Sequence, residues 1–150
     1  RVPHRPPTED SLMTDARTPH EVLHPANWKK ASGYSNGLLA QGRTVWIGGQ
    51  IGWTGDQVFE AKDLVGQTQQ ALRNIVAIAR EAGACPEHIV RMTWYITNKK
   101  DYLANLKGIG EAYRSVMGKH FPAMTMVQVA DLIEDEAKVE IEATAVLPTT

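Results

Sequence analysis

The sequence predicts an α+β domain in the order β-β-α-β-α-β-β, a mixed sheet with two helices on one face. Three observations carry this expectation. Residues 63–82 repeat Leu64, Thr68, Leu72, Ile75, Ile78 and Ala82 at three- and four-residue steps, the period of one buried helix face. Residues 138–146 alternate Val139, Ile141, Ala143 and Ala145 with Glu140, Glu142 and Thr144, the period of a half-buried strand. The runs at 44–51 and 88–97 are rich in β-branched and aromatic side chains, which suit strands.

Taken in order, Gly33–Ala40 reads as a first strand with Gly37 as a weak point, and Thr44–Ile51 as a second. Gly48 and Gly49 interrupt the second strand, and paired glycines there mark a bulge or a close approach by ligand or backbone. Gly52 to Gly55 make a turn. Asp63 can cap the helix over Asp63–Ala82, and Gly83 suits the left-handed position after it. His88–Thr97 is the third strand. Asp101 is expected to cap a second helix that ends at Gly118, with Leu103, Leu106, Ile109, Tyr113 and Val116 facing inward. Gly108 and Gly110 within it point to close packing or a bend. Met124–Ala130 and Lys138–Val146 complete the strands.

Residues 1–20 hold four of the eight prolines and few apolar side chains. They are expected to form an extended arm outside a single domain at 21–148, with 149–150 a short tail. Met13 is a candidate start, which would make residues 1–12 an extension. The remaining composition narrows the function classes. Sixteen basic residues against seventeen acidic ones give a net charge of −1, which disfavours general nucleic-acid binding. Cys85 is the single cysteine, so neither a disulfide framework nor a multi-cysteine zinc site is expected. The sequence shows neither a membrane-length apolar run nor a signal-peptide core, which points to a cytoplasmic setting. The five histidines show no metal-binding spacing, so no metal is expected. One face of the predicted sheet is left apolar and uncovered, at Val127, Val129 or their alternates, which predicts self-association.

Several anchored positions share one order and spacing. They are Tyr34-Ser35, Gly49-Gln50, Gln67 with Leu72-Arg73-Asn74, and Ala82-Gly83. Trp94-Tyr95, Phe121-Pro122-Ala123 and Val139-Glu140-Ile141-Glu142-Ala143 follow. In this pattern the chain resembles the Rid family, also called YjgF/YER057c/UK114, over about residues 21–148. The resemblance implies a chorismate-mutase-like fold and a homotrimer with three clefts between subunits. It implies a small-molecule ligand and no cofactor. The best-studied members hydrolyse enamines and imines to ketoacids and ammonia; others carry labels such as endoribonuclease or translation inhibitor.

Residue by residue, the resemblance places Glu140 where the family has the glutamate that positions the hydrolytic water, and Tyr34 at the cleft mouth. Gly48 stands for the family serine before Gly49-Gln50. Lys107 aligns with the family asparagine on the second helix, with Asn105 nearby. Met124 replaces the arginine that pairs with the substrate carboxylate, and a thioether cannot form that bidentate charged pair. This places the chain with the arginine-less subgroups. Lys107, Arg91, Arg114 and His120 are the side chains considered as replacement cations, and Trp94 is a candidate cleft wall.

Each assignment has an ordinary alternative. Glu140 and Glu142 can be the solvated side of an alternating strand, and Tyr34 an interface tyrosine. Met124 and Met126 can be core, Lys107 and Arg114 exposed helix residues, and His120 a capping histidine. Three functions therefore stand side by side: an enamine or imine hydrolase, a non-catalytic trimeric module binding a metabolite or partner, and RNA cleavage, which the charge disfavours.

Overall fold

The alternating segment expected at 138–146 becomes a central strand of the sheet, paired on both sides. The computed structural model describes residues 18–149. Its elements are β1 (Glu21–Leu23), β2 (Gly37–Leu39), β3 (Arg43–Ile51), α1 (Leu64–Glu81), a 3-10 turn (Pro86–His88) and β4 (Ile89–Ile96). Then come α2 (Lys99–Ala104), α3 (Leu106–Met117), β5 (Ala123–Gln128) and β6 (Val139–Leu147). β1 and β2 form a two-stranded ribbon, and the other strands form one sheet in the order β3-β6-β4-β5. β6 lies antiparallel to β3 and β4, whereas β4 and β5 are parallel. A parallel pair needs a crossover, which α2 and α3 supply. The α+β class is as expected.

The core lies between the sheet and the helices. Val139, Ile141 and Ala145 of β6 and Leu72, Ile75 and Ala79 of α1 are all fully buried. The Asp63 carboxylate accepts from the Gly66 amide at 3.2 Å and caps α1. Gly83 follows the helix at φ 79°, the left-handed value that glycine adopts without strain. Gly108 lets α3 approach α1, since a Cβ there would meet Val65 at 3.0 Å.

Several expectations need correction. The first predicted strand shortens to Gly37–Leu39, and its partner β1 precedes it in a segment with no strand pattern. The second predicted helix is two helices broken at Asn105, and Asn98, not Asp101, caps the first of them. The Asn98 side chain accepts from the Asp101 amide at 3.0 Å. The break takes Leu103 and Leu106 out of the buried stripe, and both are exposed. On α1, Val76 and Ala79 occupy the buried face in place of the exposed Ile78.

The packed chain also begins before Glu21. The Thr18 hydroxyl donates to the Glu87 carbonyl at 2.7 Å, and His20 is buried with Nε2 bonded to the Val146 carbonyl at 2.9 Å. The rest of the expected arm, residues 1–17, lies outside the described residues, as does Thr150.

Candidate functional site

Strand β6 presents its two faces to different surroundings. Val139, Ile141 and Ala143 enter the core, so the strand pleat turns Glu140 and Glu142 to the opposite, open face. Register places Glu140 across from Tyr95 on β4, and Tyr95 beside Val127 on β5. The Tyr95 hydroxyl donates to Oε1 of Glu142 at 2.8 Å. That hydrogen bond, followed by desolvation and the negative charges of Glu142 and Glu140, raises the Tyr95 pKa above its usual value, against an opposing effect of Arg91.

On the other side of Glu140 the β3–β6 register shifts between Ile47 and Gln50. The irregularity falls at Gly48 and Gly49, as their pairing in the sequence predicts. A Cβ at Gly49 would lie 2.6 Å from Oε2 of Glu140, so the glycine leaves the volume that the carboxylate fills. Gly48 faces open space. Next to this point is a cavity of about 250 Å³ lined by Tyr95, Val129, Asp131, Leu132, Ile133 and Glu140.

A second group forms at the edge strand β5. The Ser35 amide donates to the Pro122 carbonyl at 3.0 Å and its hydroxyl to the Phe121 carbonyl at 2.5 Å, with a bridge from Ser35 to Ala123. These bonds fix Tyr34, which is exposed, next to the start of β5. Met124 and Met126 are half-buried and register with Met92 and Trp94, on the helix side of the sheet. Met124 and Glu140 therefore lie on opposite faces of the sheet.

Three expected site residues lie elsewhere. Trp94, for which both core and cleft wall are open readings in the sequence, takes the core place: it is 3% exposed and stacks on Tyr113, ring centroids 6.2 Å apart. His120 is buried, neither a free cation nor a capping side chain, with Nε2 donating to the Ile89 carbonyl at 2.7 Å. Burial lowers its pKa, against the opposing effects of that carbonyl and Glu87. Lys107 is exposed on α3, in the helix layer. Its neighbour Asn105 is tied to Asp101 and lines a separate cavity of about 410 Å³ at the start of α1.

Tyr95 and Asp131 are the site residues that sequence reading missed. Strand parity puts Tyr95 opposite Trp94, but only the β4–β6 register pairs it with Glu140. Among the described residues, no helix is long and apolar enough to cross a membrane. Among the same residues, no group of three or more His, Cys, Asp or Glu side chains is placed to hold a metal.

Comparison with known proteins gives consistent relatives. The family model for endoribonuclease L-PSP matches residues 25–147. The RutC family protein UK114 of Drosophila melanogaster is 31% identical over 129 residues, covering 83% of this chain and 88% of its own. The human 2-iminobutanoate/2-iminopropanoate deaminase is 31% identical over 116 residues, 75% of this chain and 79% of its own. Among solved structures, the Rid-family protein YyfB from Yersinia pestis superposes with a TM-score of 0.76 at 33% identity. It covers 85% of this chain and 98% of its own.

Proposed function

The chain belongs to the endoribonuclease L-PSP family, the Rid (YjgF/UK114) proteins, and from that premise we propose that it hydrolyses a small enamine or imine, or a related reactive metabolite, in a cleft between two copies of itself. The observation that carries this reading is the Glu140 carboxylate seated against Gly49 at the edge of a cavity. A relative with a deaminase name supports the reaction class. The opposed faces of Met124 and Glu140 support a site shared between subunits. A cleft using both would join the β5 edge of one copy, with Tyr34 and Met124, to the open sheet face of another. The exposed side chains on that face, Trp46 and Val127, favour the homotrimer that the family resemblance implies.

The chemistry requires little. Glu140 takes a proton from water as it adds to the carbon of the protonated C=N, giving a carbinolamine. Glu140 returns that proton to nitrogen and takes up the hydroxyl proton as the C–N bond breaks, and a carbonyl compound and ammonia leave. Backbone groups near Gly48-Gly49, together with Tyr34, polarise the substrate. Met124 supplies an apolar wall where the resemblance has a carboxylate-binding arginine.

The test is ammonia release from the freshly generated ketimine of pyruvate and from ketimines without a carboxylate. Release above the uncatalysed rate is expected for one of the two sets; absence on both, with the assembly intact, removes the hydrolase reading. Met124 also favours a second reading, a non-catalytic trimeric module that binds a small metabolite or a partner. Glu140→Gln separates the two, since a binder has no turnover to lose. Localisation in the cytoplasm remains part of the proposal and is checked by fractionation.

A further inference from the structure

Resting on the hydrolase reading above, the geometry points to a cationic substrate without a carboxylate, an alkyl or aryl iminium rather than an imino acid. The cavity beside Glu140 is lined by two acidic residues, Glu140 and Asp131, the latter accepting from the Leu132 amide through Oδ1 at 2.8 Å, and by Tyr95, whose hydroxyl is already given to Glu142. Its other walls, Val129, Leu132 and Ile133, are apolar. The segment joining β5 to β6 adds Glu134, Asp135 and Glu136 to Asp131, and of these Glu136 is neutralised by Lys62 at 2.8 Å. Lys138, the cation that ends this segment, lines the other cavity.

Two further observations bear on what faces the cavity in an assembly. Strand β5 reads AMTMVQ and brings no ionisable side chain to the edge half of the cleft. Arg91, the cation whose charge reaches Tyr95, lies four residues back along β4, a backbone separation of roughly 13 Å, and does not line the cavity. A substrate carboxylate would thus meet Asp131 and Glu140 with no cation among the lining residues. Like charges in a low-dielectric cleft repel, whereas an iminium is drawn in. The reaction stays balanced: the iminium and one water give a ketone or aldehyde and one ammonium ion.

The experiment compares two substrates of nearly one shape. The ketimine of acetone and the ketimine of pyruvate, each generated by oxidation of its parent amine, differ in a methyl group against a carboxylate. The expected result is a kcat/KM about tenfold or more higher for the acetone ketimine. In Asp131→Asn, an exposed position outside the core, this preference should fall about threefold or more. Equal rates, a preference for the pyruvate ketimine, or a preference untouched by Asp131→Asn would overturn the inference and leave the hydrolase reading standing. Turnover of neither removes the hydrolase reading. Binding of isopropylammonium against isobutyrate then decides the charge preference, and equal or reversed affinities overturn it.

Discussion

Gly49 and Glu140 compete for one volume: a Cβ on the glycine would stand 2.6 Å from the glutamate's Oε2 and 2.9 Å from its Cδ. The backbone at Gly49 is not in the left-handed region, so alanine is conformationally allowed there. Gly49→Ala should therefore move the carboxylate rather than unfold the chain. Because the atoms displaced are the end of a flexible side chain, stability should change by about 1 kcal/mol or less. Turnover should fall roughly tenfold to a hundredfold, the cost of misplacing a catalytic group by about 1 Å. Thermal unfolding and steady-state ammonia release read the two effects separately.

Glu140→Gln tests the same carboxylate without moving it. Glutamine keeps the shape and one acceptor oxygen but takes up no proton at neutral pH. If Glu140 is the general base, kcat should drop by about 100- to 10,000-fold while affinity for a non-reacting amine changes far less. A kcat within a few-fold of the original would return Glu140 to the role of a solvated strand residue.

Much of the fold was legible because local chemistry repeats what tertiary packing requires. Asp63 before an apolar stripe and Gly83 after it bound α1 in the sequence as they do in the structure. The alternation on β6 assigned Glu140 to the open face before any partner was known. What stayed hidden depends on register. Glu21–Leu23 becomes a strand only because Gly37–Leu39 lies beside it. Trp94 and Tyr95 are adjacent aromatics, and pairing with Ile141 and Glu140 sends one to the core and the other to the site. His120 reads as a capping histidine beside Phe121-Pro122, but it is buried with the Ile89 carbonyl as its acceptor. The break at Asn105 could not be read either, because the apolar spacing runs through it.

The open sheet face yields a prediction about assembly. Trp46 is 80% exposed and Val127 41% exposed in the single chain. Exposed apolar side chains on a sheet face are normally covered by another surface. If three copies cover this face, Val127→Asp buries a charge at the contact and should dissociate the assembly. Light scattering should then give a mass near the 16.6 kDa of one chain instead of about three times that for the original protein. Unchanged mass in the variant would place the contact elsewhere, and a monomeric original protein would end the trimer proposal.

Buried His120 makes the stability of the fold depend on pH. Burial lowers its pKa below the usual 6.5, so the folded chain holds it neutral under conditions that protonate it once unfolded. Between the folded value and 6.5 the unfolded state binds more protons, which makes stability rise with pH. The full stability is present above about pH 6.5 and is lost as pH falls through the folded value. One such group gives a slope of at most about 1.4 kcal/mol per pH unit. Glu87 favours the charged form and thus reduces the effect, while His20 and His88 add to it. His120→Gln keeps an N–H donor for the Ile89 carbonyl but does not titrate. Urea unfolding across the acid range should show a shallower pH slope in the variant, whatever its absolute stability. An identical slope in both proteins would assign the acid sensitivity to another group.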